Sequence, residues 1–153
     1  MQTQDVIFVP AGAGEQLNIL GSTHTNKVVP TQTGGAFSAL EITIPPRCGP
    51  PMHTHDRDCE FFYVLEGEIT FSHEGGVVVA KPGDFCFLPA GRPHAFRNDG
   101  AVDAKALVMI TPGLQAHQFF REIDQQVGAA IDVPAVMALA QRNGIDFVAR
   151  QAA

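Results

Sequence analysis

An all-β fold, an antiparallel sandwich or barrel followed by two short C-terminal helices, is what this sequence predicts, on three observations. Short apolar segments with strand-like alternation recur from the N-terminus to about residue 112. Glycine and proline punctuate nearly every gap between them. After Gly113 the apolar spacing changes from that of a strand to that of a helix.

The segments follow in order. Val6–Val9 stops at Pro10, Leu17–Leu20 at Gly21, and Lys27–Val29 at Pro30. Ala36–Ile44 alternates cleanly and ends at Pro45-Pro46. Phe61–Leu65 and Glu68–Ser72 flank Gly67, and Val77–Ala80 follows the hairpin signal Glu74-Gly75-Gly76. Phe85–Leu88 runs into Pro89-Ala90-Gly91, and Lys105–Thr111 into Pro112-Gly113. Leu114 to Val127 then carries helical spacing. Asp132-Val133-Pro134 reads as a helix start with Asp132 as N-cap, and Gly144 as a C-cap. A short tail, Ile145–Val148, closes the pattern. With no linker or repeat, residues 1–153 read as one domain: a barrel over about 1–112 and a helical segment over about 113–153.

Composition narrows the function. A net charge of −6 argues against a nucleic-acid partner. No run of about 18 apolar residues exists, so no membrane-spanning helix is expected. The first residues, Met1 to Asp5, lack the basic-then-apolar order of a signal peptide. Three cysteines, Cys48, Cys59 and Cys86, without CxxC spacing, suit reduced thiols and a cytoplasmic location.

The chemistry is concentrated in His53, His55, Glu60 and His94. On a strand, residues i and i+2 share a face, so His53 and His55 point the same way, about 6.5–7 Å apart. Three imidazoles and one carboxylate form a metal site suited to Fe, Mn, Co, Ni or Zn. With a divalent ion the site keeps one positive charge, and an octahedral ion keeps two open positions. It should therefore hold an anionic, bidentate substrate, or a substrate with dioxygen. Glu60 can serve as ligand or as general base. Cys59 offers a softer alternative donor, although a small buried thiol is the plainer reading. Phe62 shares the strand parity of Glu60, Phe96 that of His94, and Phe37 sits at the entry to a strand. These three are candidates for an apolar substrate pocket. Tyr63 has the opposite parity and belongs to the other face. His24, His73 and His117 lack spacing partners: His24 lies in the polar run Ser22–Asn26, His73 beside a turn, His117 on a helix.

The flanking residues form two blocks: H-x-H-x4-E-x6-G from His53 to Gly67, and G-x5-P-x-G-x2-H-x3-N from Gly83 to Asn98. Together they resemble the two motifs of the cupin superfamily. One departure stands out: the family's first motif opens on a glycine six residues before the first histidine, where this chain has Arg47 and the nearest glycine is Gly49. The segments Thr31–Ser38, Phe61–Gly67 and Pro93–Asn98, with the helical tail, further resemble small single-domain cupins of the quercetin 2,3-dioxygenase-like type. The resemblance implies a jelly-roll barrel and a homodimer, and Val6–Val9, an apolar strand outside the motif-bearing core, offers an edge to pair across subunits. It implies one divalent transition metal (Ni, Mn, Fe, Co, Cu or Zn) on the 3-His/1-Glu set. It also implies a dioxygenase reaction in which a flavonol-like substrate yields its hydroxyl proton to Glu60 and its ring opens with dioxygen, releasing carbon monoxide. Two other classes stay open: a non-oxidative isomerase, decarboxylase or lyase in which the metal is a Lewis acid, and a small-molecule-binding or sensory cupin.

Overall fold

In a computed structural model of the chain, residues 5–127 and 132–148 are described. The strands are β1 (Glu15–Ile19), β2 (Ser22–Val28), β3 (Ser38–Ile44), β4 (His53–His55), β5 (Cys59–Glu66), β6 (Ile69–His73), β7 (Gly76–Ala80), β8 (Phe85–Leu88), β9 (His94–Arg97), β10 (Ala104–Thr111) and β11 (Ile145–Phe147). The helices are α1 (Leu114–Val127) and α2 (Val133–Arg142). Two antiparallel sheets form a jelly roll, ordered β1-β2-β3-β10-β5-β8 and β11-β4-β9-β6-β7.

Alternation decides which side chains enter the barrel. Leu40, Ile42 and Ile44 of β3, Phe62 and Val64 of β5, and Ala106, Val108 and Ile110 of β10 are buried. Register stacks them in rows: Val108 lies opposite both Leu40 and Phe62. From the second sheet Ile69, Phe71 and Phe96 complete the core. Phe62 meets Phe71 edge-on at 5.1 Å and Phe96 at 5.0 Å.

Asp132 caps α2, accepting a hydrogen bond from the Ala135 amide. Asn143 follows the helix and Gly144 turns the chain at φ 68°. The sequence expectation differs from the structure in two segments. Val6–Val9 carries no strand, because among the described residues no edge pairs with it, and Val6 and Phe8 are 97% and 84% exposed. The Lys27–Val29 segment is the end of a longer strand: β2 begins at Ser22 and takes in the polar run. That run pairs with both β1 and β3, so hydrogen bonding rather than hydrophobicity sets its extent.

Candidate metal centre

β4 has three residues, and the pleat turns His53 and His55 inward with Thr54 facing away. Its neighbour β9 begins at His94, which pairs directly with His53. Glu60 comes from the other sheet, on β5 between Ile110 and Leu88. The two sheets thus meet at one point, three imidazoles from one and a carboxylate from the other. All four residues are buried, and one ligand atom from each lies within 4.8 Å of the others. Glu60 Oε2 is 3.1 Å from His94 Nε2 and 3.6 Å from His55 Nε2.

Backbone carbonyls orient two of the rings. His53 Nδ1 lies 2.9 Å from the Pro51 carbonyl and His94 Nδ1 2.9 Å from the Arg92 carbonyl. A carbonyl only accepts, so each Nδ1 donates and each Nε2 keeps its lone pair toward the centre. Among the described residues, neither ring nitrogen of His55 has a hydrogen-bond partner, though both are buried. Leaving a buried polar atom unpaired costs about 1–3 kcal/mol, and a metal ion among these four atoms would remove that cost at the nitrogen that binds it. The donor set and the orphaned nitrogen fit a divalent transition metal.

Burial holds the His53 ring neutral, its pKa lowered to about 4 despite the Glu60 charge. Burial also lowers proton affinity at His94, but the hydrogen bond and charge of Glu60 raise it overall. Burial pushes the Glu60 carboxyl up; His55, the His94 hydrogen bond and the charges of His53 and His94 outweigh it, bringing the pKa down to about 2.

The loops hold this geometry. The Gly91 amide donates to the His55 carbonyl at 2.8 Å, tying the Pro89–Gly91 turn to β4. Asn98 anchors the end of β9, its side-chain amide donating to the Ile44 and Val102 carbonyls. Gly49 lies against β9, where a Cβ would sit 2.1 Å from the Phe96 carbonyl oxygen. Only glycine permits that approach. Arg47 keeps a positive φ of 67°, the backbone of a glycine on a residue with a side chain. Asp58, also buried, accepts from the Gly113 and Ala116 amides and fixes the start of α1.

A cavity of about 70 Å³ opens over His53, His55 and Glu60. Leu40, Ile42, Val108 and Ile110 form one wall, Phe119 and Phe120 of α1 another, and Phe147 of β11 a third. β11 pairs with β4, Ile145 opposite His55 and Phe147 opposite His53, so the C-terminal strand braces the histidine strand. His94, whose Nε2 points to Glu60, also borders a larger groove of about 810 Å³ on β6, β7 and β8.

Phe62 and Phe96 line the small cavity, whereas Phe37 does not. The inward residues of β3 are even-numbered from Ser38, so Phe37 falls on the outward parity before the strand begins. Cys59 stands outside the quartet, its sulfur 3.4 Å from the Ala90 amide that donates to it. His73 is exposed and accepts from the Gly75 amide; His117 is half-buried on α1. Tyr63 is on the outer face. Sequence reasoning missed His24, which lines the cavity. No local signal marked it: its place opposite Ile42, one of the inward residues of β3, is set by strand register.

The Cupin domain family model matches residues 40–110, the span that carries all four clustered residues. A predicted oxalate decarboxylase of Thermotoga maritima has a crystal structure that matches with TM-score 0.60 and 25% identity, over 70% of this chain and 98% of that one. The chain belongs to the cupin superfamily. Among curated proteins, this cupin is 36% identical over 69 residues to an oxalate-binding protein of Thermotoga maritima, covering 45% of this chain and 57% of that protein. It is 31% identical over 113 residues to quercetin 2,3-dioxygenase of Bacillus subtilis, covering 72% of this chain. The cupin spans 33% of that relative's length.

Proposed function

We propose that this cupin is a metal-dependent dioxygenase for a compact, enolisable anion, held by His53, His55, Glu60 and His94. The observation that carries the reading is the buried quartet, with its unpaired His55 nitrogens, three of whose members line an apolar cavity. A divalent transition metal at these atoms supplies Lewis acidity and, where redox-active, access to dioxygen chemistry. Glu60 takes the proton of the substrate hydroxyl. With a pKa near 2 it is a weak base, so it suits a hydroxyl already acidified by an adjacent carbonyl, as in an enol. Phe62 and Phe96 keep bulk water from the reacting atoms.

Size refines the substrate. Drug-sized ligands occupy pockets of about 300–1,000 Å³, and the cavity holds about 70 Å³. That room favours a one-ring or acyclic enolisable acid over a three-ring flavonol. A second reading is favoured by the 36% identity to an oxalate-binding protein: a small dicarboxylate bound at the same four residues without use of oxygen.

Oxygen uptake by protein loaded in turn with nickel, manganese, cobalt and iron separates the two. Uptake is expected with one-ring hydroxypyranones and at least about 10-fold slower with quercetin. Glu60→Gln should cut turnover by about 100-fold or more, the scale of general-base loss, while most of the metal stays bound. No uptake with any hydroxypyranone, flavonol or catechol, together with oxalate binding, would favour the non-oxidative reading.

The proposal also takes the protein as a cytoplasmic homodimer. The three unpaired cysteines suit a reducing compartment. Val6 and Phe8 stand exposed with no strand partner among the described residues, as a segment that meets a second copy would.

A further inference from the structure

His24 sits on β2 with its side chain inside the barrel, 5% exposed. Among the described residues nothing hydrogen-bonds its Nδ1, which is buried. One face of the ring meets Phe120 edge-on at 4.7 Å. The ring lines the same small cavity as His53, His55 and Glu60, yet it lies outside the cluster whose ligand atoms fall within 4.8 Å of one another. Among the described residues, the other cavity walls are apolar apart from that cluster and Ser22, two positions earlier on the same strand. The cavity is therefore apolar with two sets of polar groups: three of the clustered residues, and an unsatisfied imidazole that lies outside that cluster.

Buried polar groups in folded proteins find partners. The ring that carries this one lines the cavity, so a ligand seated there is placed to bond it. Burial keeps this ring neutral, with its pKa lowered to about 4 although the Glu60 charge pulls it up. A neutral imidazole offers a donor and an acceptor and no charge. A hydroxyl or a carbonyl can bond it, and a second anionic group gains nothing from it.

We propose that His24 is a substrate-positioning residue, hydrogen-bonding a hydroxyl or carbonyl on the side of the substrate away from the metal-binding pair. This rests on the cavity being the substrate site. It deepens that reading: the substrate is a compact enolisable acid with a third, neutral polar group across its frame.

Allomaltol and kojic acid test this. Both present the same hydroxy-ketone chelating pair on one ring. Kojic acid carries a hydroxymethyl group across the ring where allomaltol carries a methyl. Each is titrated by calorimetry into cobalt-loaded protein, with cobalt content and the ligand-free melting curve recorded alongside. Wild-type protein should bind kojic acid about 5-fold more tightly, the scale of one neutral hydrogen bond. His24→Leu should abolish the difference by weakening kojic acid alone, with cobalt content unchanged. His24→Asn places a polar atom where Nδ1 was and should restore most of it. Ligand-free His24→Leu should melt at or above wild type, since an unpaired polar atom has been removed. Equal wild-type affinities for the two ligands would overturn the His24 assignment alone. So would a melting temperature several degrees lower in His24→Leu, which would make the ring structural. If neither ligand binds wild-type protein, the reading of the cavity as a site for such anions falls, and the His24 assignment with it.

Discussion

Strand β5 has two faces, and they are organised by different physics. Its inner face carries Glu60, Phe62 and Val64, all buried. Its outer face carries Phe61, Tyr63 and Leu65, with Tyr63 and Leu65 at 45% and 39% exposure. Neighbouring strands extend the contrast. Phe85 and Phe87 of β8 lie outward at 63% and 50% exposure, Leu107 and Met109 of β10 at 38% and 40%. Phe61 stacks on Phe87 at 4.8 Å. Both faces are rich in aromatic and aliphatic side chains, so hydrophobicity does not separate them. Commitment does. Every inner side chain has a neighbour within the chain, and the outer ones share a contiguous apolar surface of the kind that marks an interaction face.

The largest test of this contrast is Phe62→Ala. It removes a side chain with 1% exposure at the junction of Phe71 and Phe96. The loss should be about 3–5 kcal/mol of folding stability, measured by urea denaturation, from lost burial plus the cavity left behind. A loss under about 1 kcal/mol would mean that the inner face is not a packed core.

Next in size is a pH effect confined to the inner face. In metal-free protein, His24 and His53 titrate near 4 rather than at the ordinary 6.5. Above 6.5 both rings are neutral in the folded and unfolded chains, and neither contributes a slope. Between 6.5 and about 4 the unfolded chain takes up protons that the folded chain refuses. Stability should therefore fall as pH drops through that window, by roughly 1–3 kcal/mol per pH unit for the two groups. His94, shifted upward, acts with the opposite sign and above 6.5, so it does not cancel the slope. Glu60, held near 2, adds its own loss only below the ordinary carboxylate value of 4.5. Urea midpoints at pH 7 and pH 5 measure the effect, and equal midpoints would show that the two rings are not held neutral by burial.

The features legible in the sequence are those set by local geometry. Spacing i, i+2 placed His53 and His55 on one face, and turn residues marked where β6, β7 and β8 end. Features set by distant pairing were not legible. Asp58 holds the start of α1 through amides 55 and 58 residues away. β11 joins the histidine strand from the far end of the chain. His24 was obscured because Ser22 to Asn26 is polar at every position, so alternation left no hydrophobic trace. Val6–Val9 shows the opposite failure: a strand-like composition with no edge to pair with. Phe37 was placed by nearness to a strand, when parity along β3 governs what enters the barrel. At Arg47, where the family has glycine, the positive φ shows the loop keeping its path on a residue that resists it.

The smallest effect on stability, and the sharpest on assembly, belongs to the outer face. Phe85→Ser removes an exposed side chain whose neighbour Phe61 lies 6.1 Å away. Within one chain that contact is slight, so the change in the stability of an isolated subunit should stay within about 0.5 kcal/mol. If a second copy covers this face, the same serine removes apolar area from the interface and puts a polar group in its place, and the association should weaken. Light scattering on wild-type protein at micromolar concentration should give the mass of a dimer, and the variant a mass shifted toward the 16.4 kDa monomer. A monomeric wild type would show that the apolar face tolerates water, and exposure would then be no guide to what β5 does on its outer side. A dimeric variant with unchanged affinity would place the interface elsewhere, with the exposed Val6–Phe8 segment the next surface to alter.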